Sequence, residues 1–201
     1  MWPPYINACR QEIPDADLKM VFDRFHIMRH VVDAVDTVRK RGHKALLEAG
    51  DTMLTKSKYL WLYSAENVPE KSREHFDMLK GAHLKTARAW ALKESLRELW
   101  DCRYERQAVE FWRRWYFWAT HSRLPPMIAA AKMVARHLAN VLTYFKHRIS
   151  NAMAEGLNSK IATIQKRACG YRNAQHFKIA VYFHCGGLNL WPQRWTHSKV
   201  G

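Results

Sequence analysis

The chain has 201 residues, 48% of them hydrophobic and 12% aromatic, which excludes disorder as its main state and bounds the fold at one sizeable core, or one core with an inserted helical module. Lys and Arg number 33 against 18 Asp and Glu, a formal charge of +15, and a folded chain this basic calls for a polyanionic partner. Nucleic acid is the expected one; a membrane surface, an acidic protein or solubility alone stay open as alternatives.

Cys9, Cys102, Cys169 and Cys185 show no CxxC spacing, so neither a zinc ribbon nor a redox pair is indicated, and free thiols in a reducing cytoplasm are expected. No leader pattern opens the sequence, and no run of about 18 apolar residues occurs. A soluble, cytoplasmic protein without membrane contact is the expectation.

In chain order, YINACRQEIPDA sets Tyr5, Ile6, Cys9 and Ile13 on one side of a helix, closed by Pro14 and Asp15. LKMVFD, residues 18–23, reads as a short strand. Phe25, Ile27, Met28, Val31, Val32, Val35 and Val38 then recur near the helical period, and Gly42 supplies a stop. Residues 44–148 read as almost purely helical, punctuated at Gly50 with Asp51, at Asn67 to Pro69, at Gly81, and at Pro125 with Pro126. KYLWLYS, residues 58–64, is assigned to a helix rather than a strand because nothing near it offers a pairing partner. Met153, Leu157, Ile161 and Ile164 predict another helix, opened by Ser150 or Asn151 and ended by Gly170. NAQHFKIAVYFHCGG gives a last helix closing at Gly186 and Gly187, and LNLWPQRWTHSKVG a loose tail.

Several residues could carry chemistry. Glu155 is an acid on a helix that also bears Lys160, Lys166 and Arg167, with Arg172 just beyond. Such a set suits a metal that must meet a phosphate; equally, an acid in a first turn complements the helix dipole. Asp23 could ligate Mg²⁺ at a strand end or serve as an ordinary N-cap. His26 and His30, four apart, could share a helix face as metal ligands, or be packed or solvated histidines. In YERQAVEFWRRWYFWATH, Trp112, Trp115 and Trp118 follow at three-residue intervals with Arg113 and Arg114 between them. Core is expected for most of these indoles, while Trp115 with Arg113 and Arg114 are candidates for stacking on bases and gripping a backbone. No glycine-rich phosphate loop, GxSxG elbow or catalytic Cys/His spacing is present.

Taken together, PDADLKMVFDRFHIMRHVVDAVDTVRK, LKESLRELWDCR, SRLPPMIAAAKMVARHL and NAMAEGLNSKIATIQKRACGYRNAQHFKIAVYFHCGGL resemble, in order, the ISL-three group of bacterial insertion-sequence transposases. The resemblance runs from Met1 to about Pro192. It implies a ribonuclease H-like core whose Asp, Asp and Glu bind two divalent metals, Mg²⁺ or Mn²⁺, for strand cleavage and joining at transposon ends. Glu155 falls on the family's catalytic and metal-binding Glu, and DRFH, Asp23 to His26, on an auxiliary motif that follows the second catalytic Asp.

The resemblance places that second Asp immediately before Met1 and the first farther upstream, with zinc-binding and helix-turn-helix regions ahead of both. It therefore implies a truncated, C-terminal catalytic-domain fragment, inactive alone, at the nucleoid of a bacterial cytoplasm. The expected fold is mainly α: the C-terminal part of a ribonuclease H-like α/β core with few strands and a large all-helical insertion. Residues 1–43 would be partial core, 44–148 the insertion, 149–190 the core helices carrying Glu155, and 191–201 a tail. DNA is the implied partner, with self-association or association with full-length transposase. A stand-alone basic helical DNA-binding regulator of transposition and an RNA-binding helical protein are the competing readings.

Overall fold

The structure, a computed structural model, describes residues 3–82, 84–148 and 152–187, the side chains of residues 3, 5 and 152–155 excepted. The described residues form eleven α-helices and three short 3₁₀ turns, with no strand among them. The chain divides into two compact units, Met1–Ile149 and Ser150–Gly201.

The first unit opens with α1 (Pro3–Glu12) and α2 (Ala16–Lys19), joined through Asp15 in the left-handed conformation at φ 56°. An ion pair of 2.9 Å from Arg10 to Asp17 ties the two together. The strand expected over residues 18–23 does not form. Leu18 and Lys19 close α2, where the Met20 N–H donates to the Ala16 carbonyl at 2.8 Å. The Phe22 N–H then donates to the carbonyl of Asn140, 3.0 Å away, and the Asn140 amide donates back to the Asp17 carbonyl at 3.1 Å. These backbone groups are thus satisfied by a helix terminus and one buried asparagine, so the segment has no need of a neighbouring strand.

A 25-residue helix follows, α3 (Arg24–Glu48). Its buried stripe is Ile27, Val31, Val35 and Val38, spaced to fall on one face. Gly42 does not end it. A Cβ at that position would lie 3.3 Å from the Thr86 hydroxyl and 3.7 Å from Leu54. The glycine marks a close approach between chain segments, and the helix continues past it to Glu48.

The remaining helices of this unit are α4 (Lys58–Leu62), α5 (Arg73–Gly81), α6 (Lys85–Arg97), α7 (Glu105–Thr120), α8 (Pro125–Arg136) and α9 (Leu138–His147). KYLWLYS is helical through Leu62, as its sequence predicts. Pro125 and Pro126 open α8, where their missing N–H groups cost nothing. α3 packs against α4, α6 and α8, while α7 covers α6, α8 and α9. Leu92 and Leu96 of α6 and Met127 and Val134 of α8 are fully buried in the core that the α3 stripe helps to form, each such side chain contributing about 1.5–3 kcal/mol.

The second unit is a helical hairpin, α10 (Ala152–Arg167) and α11 (Ala174–Cys185), packed on each other. α10 ends where Cys169 and Gly170 turn left-handed, at φ 51° and 97°. There the Gly170 N–H donates to the Gln165 carbonyl at 3.0 Å, as a glycine-terminated helix does. Asn173 caps α11, its side chain accepting from the Gln175 N–H at 2.8 Å. The start signals expected at Ser150 and Asn151, and the tail over residues 191–201, lie outside the described residues.

Candidate nucleic-acid interface

The sixteen residues of α7 separate into two faces. Ala108, Trp112, Trp115 and Ala119 are buried, following the i, i+4, i+7, i+11 spacing of a core stripe. Trp115 is only 2% exposed, and its indole N–H donates to the Leu92 carbonyl of α6 at 2.8 Å. It offers no ring face to a base. Trp112 lies beside it, with ring centroids 5.3 Å apart.

Trp118 does not join them. A helix turns about 100° per residue, so a three-residue interval falls about 60° short of a full turn at each step. Two such steps carry Trp118 off the core and leave it 39% exposed. Phe117 is 64% exposed and stacks on His121, with centroids 4.0 Å apart. Arg113 and Arg114 are exposed one turn earlier, and neither makes an ion pair with a carboxylate among the described residues. The outer face of α7, with the His121 that caps its C-terminus, therefore presents two guanidinium groups, an indole, a phenyl ring and an imidazole. Guanidinium groups grip phosphates and flat rings stack on unpaired bases. Composition and motif spacing alone pass over Phe117 and His121; the signal that finds them is the periodicity that buries Trp112 and Trp115, read for its opposite face.

A second group of sequence candidates lies at the start of α3. Asp23 is half-buried, and its carboxylate accepts the Phe25 N–H at 2.5 Å, which makes it the N-cap of α3. His26 is exposed, with the Phe25 ring set edge-on to it at 5.6 Å. A groove of about 790 Å³ opens beside them, bordered by Arg24, Phe25, Arg29, Glu66, Lys93 and Arg97.

In the second unit, Lys160, Lys166, Arg167 and Arg172 are all exposed. Glu155 stands in the first turn of α10. No three His, Cys, Asp or Glu side chains come close enough to hold a metal ion among the described residues, and His26 with His30 gather no third ligand. The described side chains do not by themselves fit a divalent cation.

Against this geometry, comparison with known proteins gives a consistent class. The chain is 25% identical over 171 residues to the transposase for insertion sequence element IS1001 of Bordetella parapertussis, covering 84% of this chain and 42% of that protein. It is 26% identical over 207 residues to the transposase for insertion sequence element IS1557 of Mycobacterium tuberculosis, covering 89% of this chain and 45% of that one. The chain thus spans less than half the length of these relatives. No solved structure matches. The class so defined is that of insertion-sequence transposases. The profile of one family, described as Transposase, matches residues 1–181, and the chain belongs to it: the ISL3 family of DDE transposases.

Proposed function

We propose that residues 1–201 form the Glu-bearing part of the catalytic domain of an ISL3 transposase, together with a helical DNA-contacting body. The observation that carries this reading is the family match over residues 1–181, which runs through both α7 and the first turn of α10. Glu155 is the catalytic carboxylate that this chain contributes, and the divalent cations of the family's chemistry require two further acids in addition. Residues 1–43 and 149–190 belong to a ribonuclease H-like core, residues 44–148 being its helical insertion. The sheet of that core is formed by regions of the longer relatives that this chain does not match. Residues 1–201 alone bind DNA and do not cleave it.

Arg113, Arg114, Phe117 and Trp118 contact the strand, as their exposure and the absence of a carboxylate partner for either arginine among the described residues support. The second reading, a binding module that regulates transposition by occupying transposon ends or joining full-length transposase, draws on the same α7 face and needs nothing of Glu155. One experiment separates them. Glu155→Gln is introduced into a transposase carrying all three acids, and into residues 1–201 alone. Loss of strand cleavage in the former with unchanged DNA affinity in the latter supports the catalytic assignment; cleavage that survives Glu155→Gln rules it out.

A further inference from the structure

A cavity of about 380 Å³ lies between the C-terminal half of α3, the N-terminus of α6 and the turn leading into α8. Its charged lining is entirely basic: Arg41, Lys85 and Arg123, with no carboxylate. None of the three makes an ion pair among the described residues. Their neighbours behave otherwise, since Arg39 and Lys40 both bind Asp36, and Lys44 reaches Glu48. All three are exposed, so solvent screens them from one another, but an anion in the concavity would be attracted by each.

The N-terminus of α6 opens on the same cavity. Leu84 occupies its cap position and provides no side-chain bond, so the Lys85, Thr86 and Ala87 N–H groups are left as donors. Thr86 supplies an independent sign of a ligand. It is 1% exposed, it lines the cavity, and its hydroxyl makes no hydrogen bond among the described residues. The other buried hydroxyls do: Ser57 donates to the Leu54 carbonyl, Ser122 to that of Ala119, and Thr143 to that of Ala139. Thr86 lines the cavity, and an oxyanion there would give its hydroxyl an acceptor. Gly42 approaches the same hydroxyl closely on one side, where a Cβ would stand 3.3 Å from it.

We infer that this cavity binds a phosphate group. Three cations, a row of backbone N–H groups and a hydroxyl match a tetrahedral oxyanion with several acceptors. The apolar remainder of the wall, from Leu46, Leu54 and Leu124, leaves room for the sugar or base attached to it. The phosphate belongs to a DNA strand or to a free nucleotide. The DNA source rests on the transposase reading, whereas the site itself does not.

The test follows the amide signals of Lys85, Thr86 and Ala87 in the whole chain by NMR. Inorganic phosphate, a nucleoside monophosphate and a single-stranded oligonucleotide are titrated separately. Inorganic phosphate moves these three amides saturably, and Lys85→Gln with Arg123→Gln weakens it by about tenfold or more. Thr86→Val, which keeps the shape and removes the hydroxyl, also weakens it while the rest of the spectrum stays in place. With a DNA source, the oligonucleotide moves the same amides, and the double variant lowers the salt slope of its binding by about 0.7 for each single-strand phosphate it no longer neutralises. With a free-nucleotide source, the monophosphate saturates the site and the oligonucleotide does not. If inorganic phosphate leaves the three amides unmoved in the folded wild-type chain, the inference is wrong. Phosphate-shifted amides in a chain that binds no DNA would instead retain the site and sink the transposase reading of the α7 face.

Discussion

The ammonium group of Lys93, on α6, donates to the main-chain carbonyl of Trp61 at 3.2 Å. It also reaches the carbonyls of Leu62 and Tyr63, so one cation closes the C-terminal end of α4, where the helix dipole is negative. Lys93 is only 2% exposed, with a Glu94 carboxylate oxygen 3.1 Å away. Burial pushes its amine below the usual range, and Glu94 acts in the opposite sense. Lys93→Met leaves three carbonyls without this donor and destabilises the first unit by about 1–3 kcal/mol. Urea unfolding checks this, and an unchanged midpoint would show that α4 needs no such closure.

Glu66 provides a pH-dependent counterpart. Its hydrogen bonds with the Arg97 side chain hold the carboxyl down at about 2, against an ordinary value of 4.5. The folded value is the lower, so the contribution is complete above about pH 4.5 and is lost as pH falls through about 2. Glu66→Gln removes that part of the acid limb of a stability profile. Carbon-detected titration of the Glu66 carboxyl gives the direct measurement; a midpoint at the ordinary value would show that Arg97 does not hold it.

Much of the fold is legible in the sequence because period and punctuation agree. The α1 stop, the helical KYLWLYS and the Gly170 terminus all follow from local rules that tertiary packing leaves alone. LKMVFD and Gly42 mislead for a shared reason, since both depend on partners far along the chain. Asn140 takes up the backbone near Phe22, and Thr86 approaches Gly42. Neither relation leaves a trace in the neighbouring residues. At the candidate interface, composition is enough to find the arginines. Which indole faces solvent depends on the helical phase, and the drift of a three-residue spacing turns Trp118 outward while Trp115 stays in the core.

The two tryptophans should therefore part company under mutation. Trp115→Ala opens a cavity and removes the indole hydrogen bond to the Leu92 carbonyl, costing about 3–5 kcal/mol. Trp118→Ala changes stability by less than about 0.5 kcal/mol and weakens single-stranded DNA binding by about 1–3 kcal/mol if a base stacks there. Thermal melts and fluorescence anisotropy on both variants test the pair. Equal losses of stability would show that Trp118 is structural.

If DNA lies on the α7 face, Arg113 and Arg114 act on affinity through phosphate charge. Replacing both with Gln lowers the salt slope of duplex binding by about 0.9 for each phosphate the two neutralise, uniformly across sequences. Affinity measured at several salt concentrations provides the slope. An unaltered slope would place the DNA on another face of the molecule.

Asp23 separates capping from chemistry, because the two roles tolerate different replacements. Asp23→Ala removes the acceptor of the Phe25 N–H and costs about 1 kcal/mol of stability. Asp23→Ser keeps an acceptor at the same place and restores most of that loss, but supplies no carboxylate. In a transposase carrying all three acids, strand cleavage by Asp23→Ser at the wild-type rate would confine Asp23 to holding the start of α3. A rate that falls while stability is kept would mean that the carboxylate itself is needed, either to orient His26 or to shape the charge of the groove beside it. The stability of Asp23→Ser, measured alongside the cleavage rate, is what makes the two outcomes distinct.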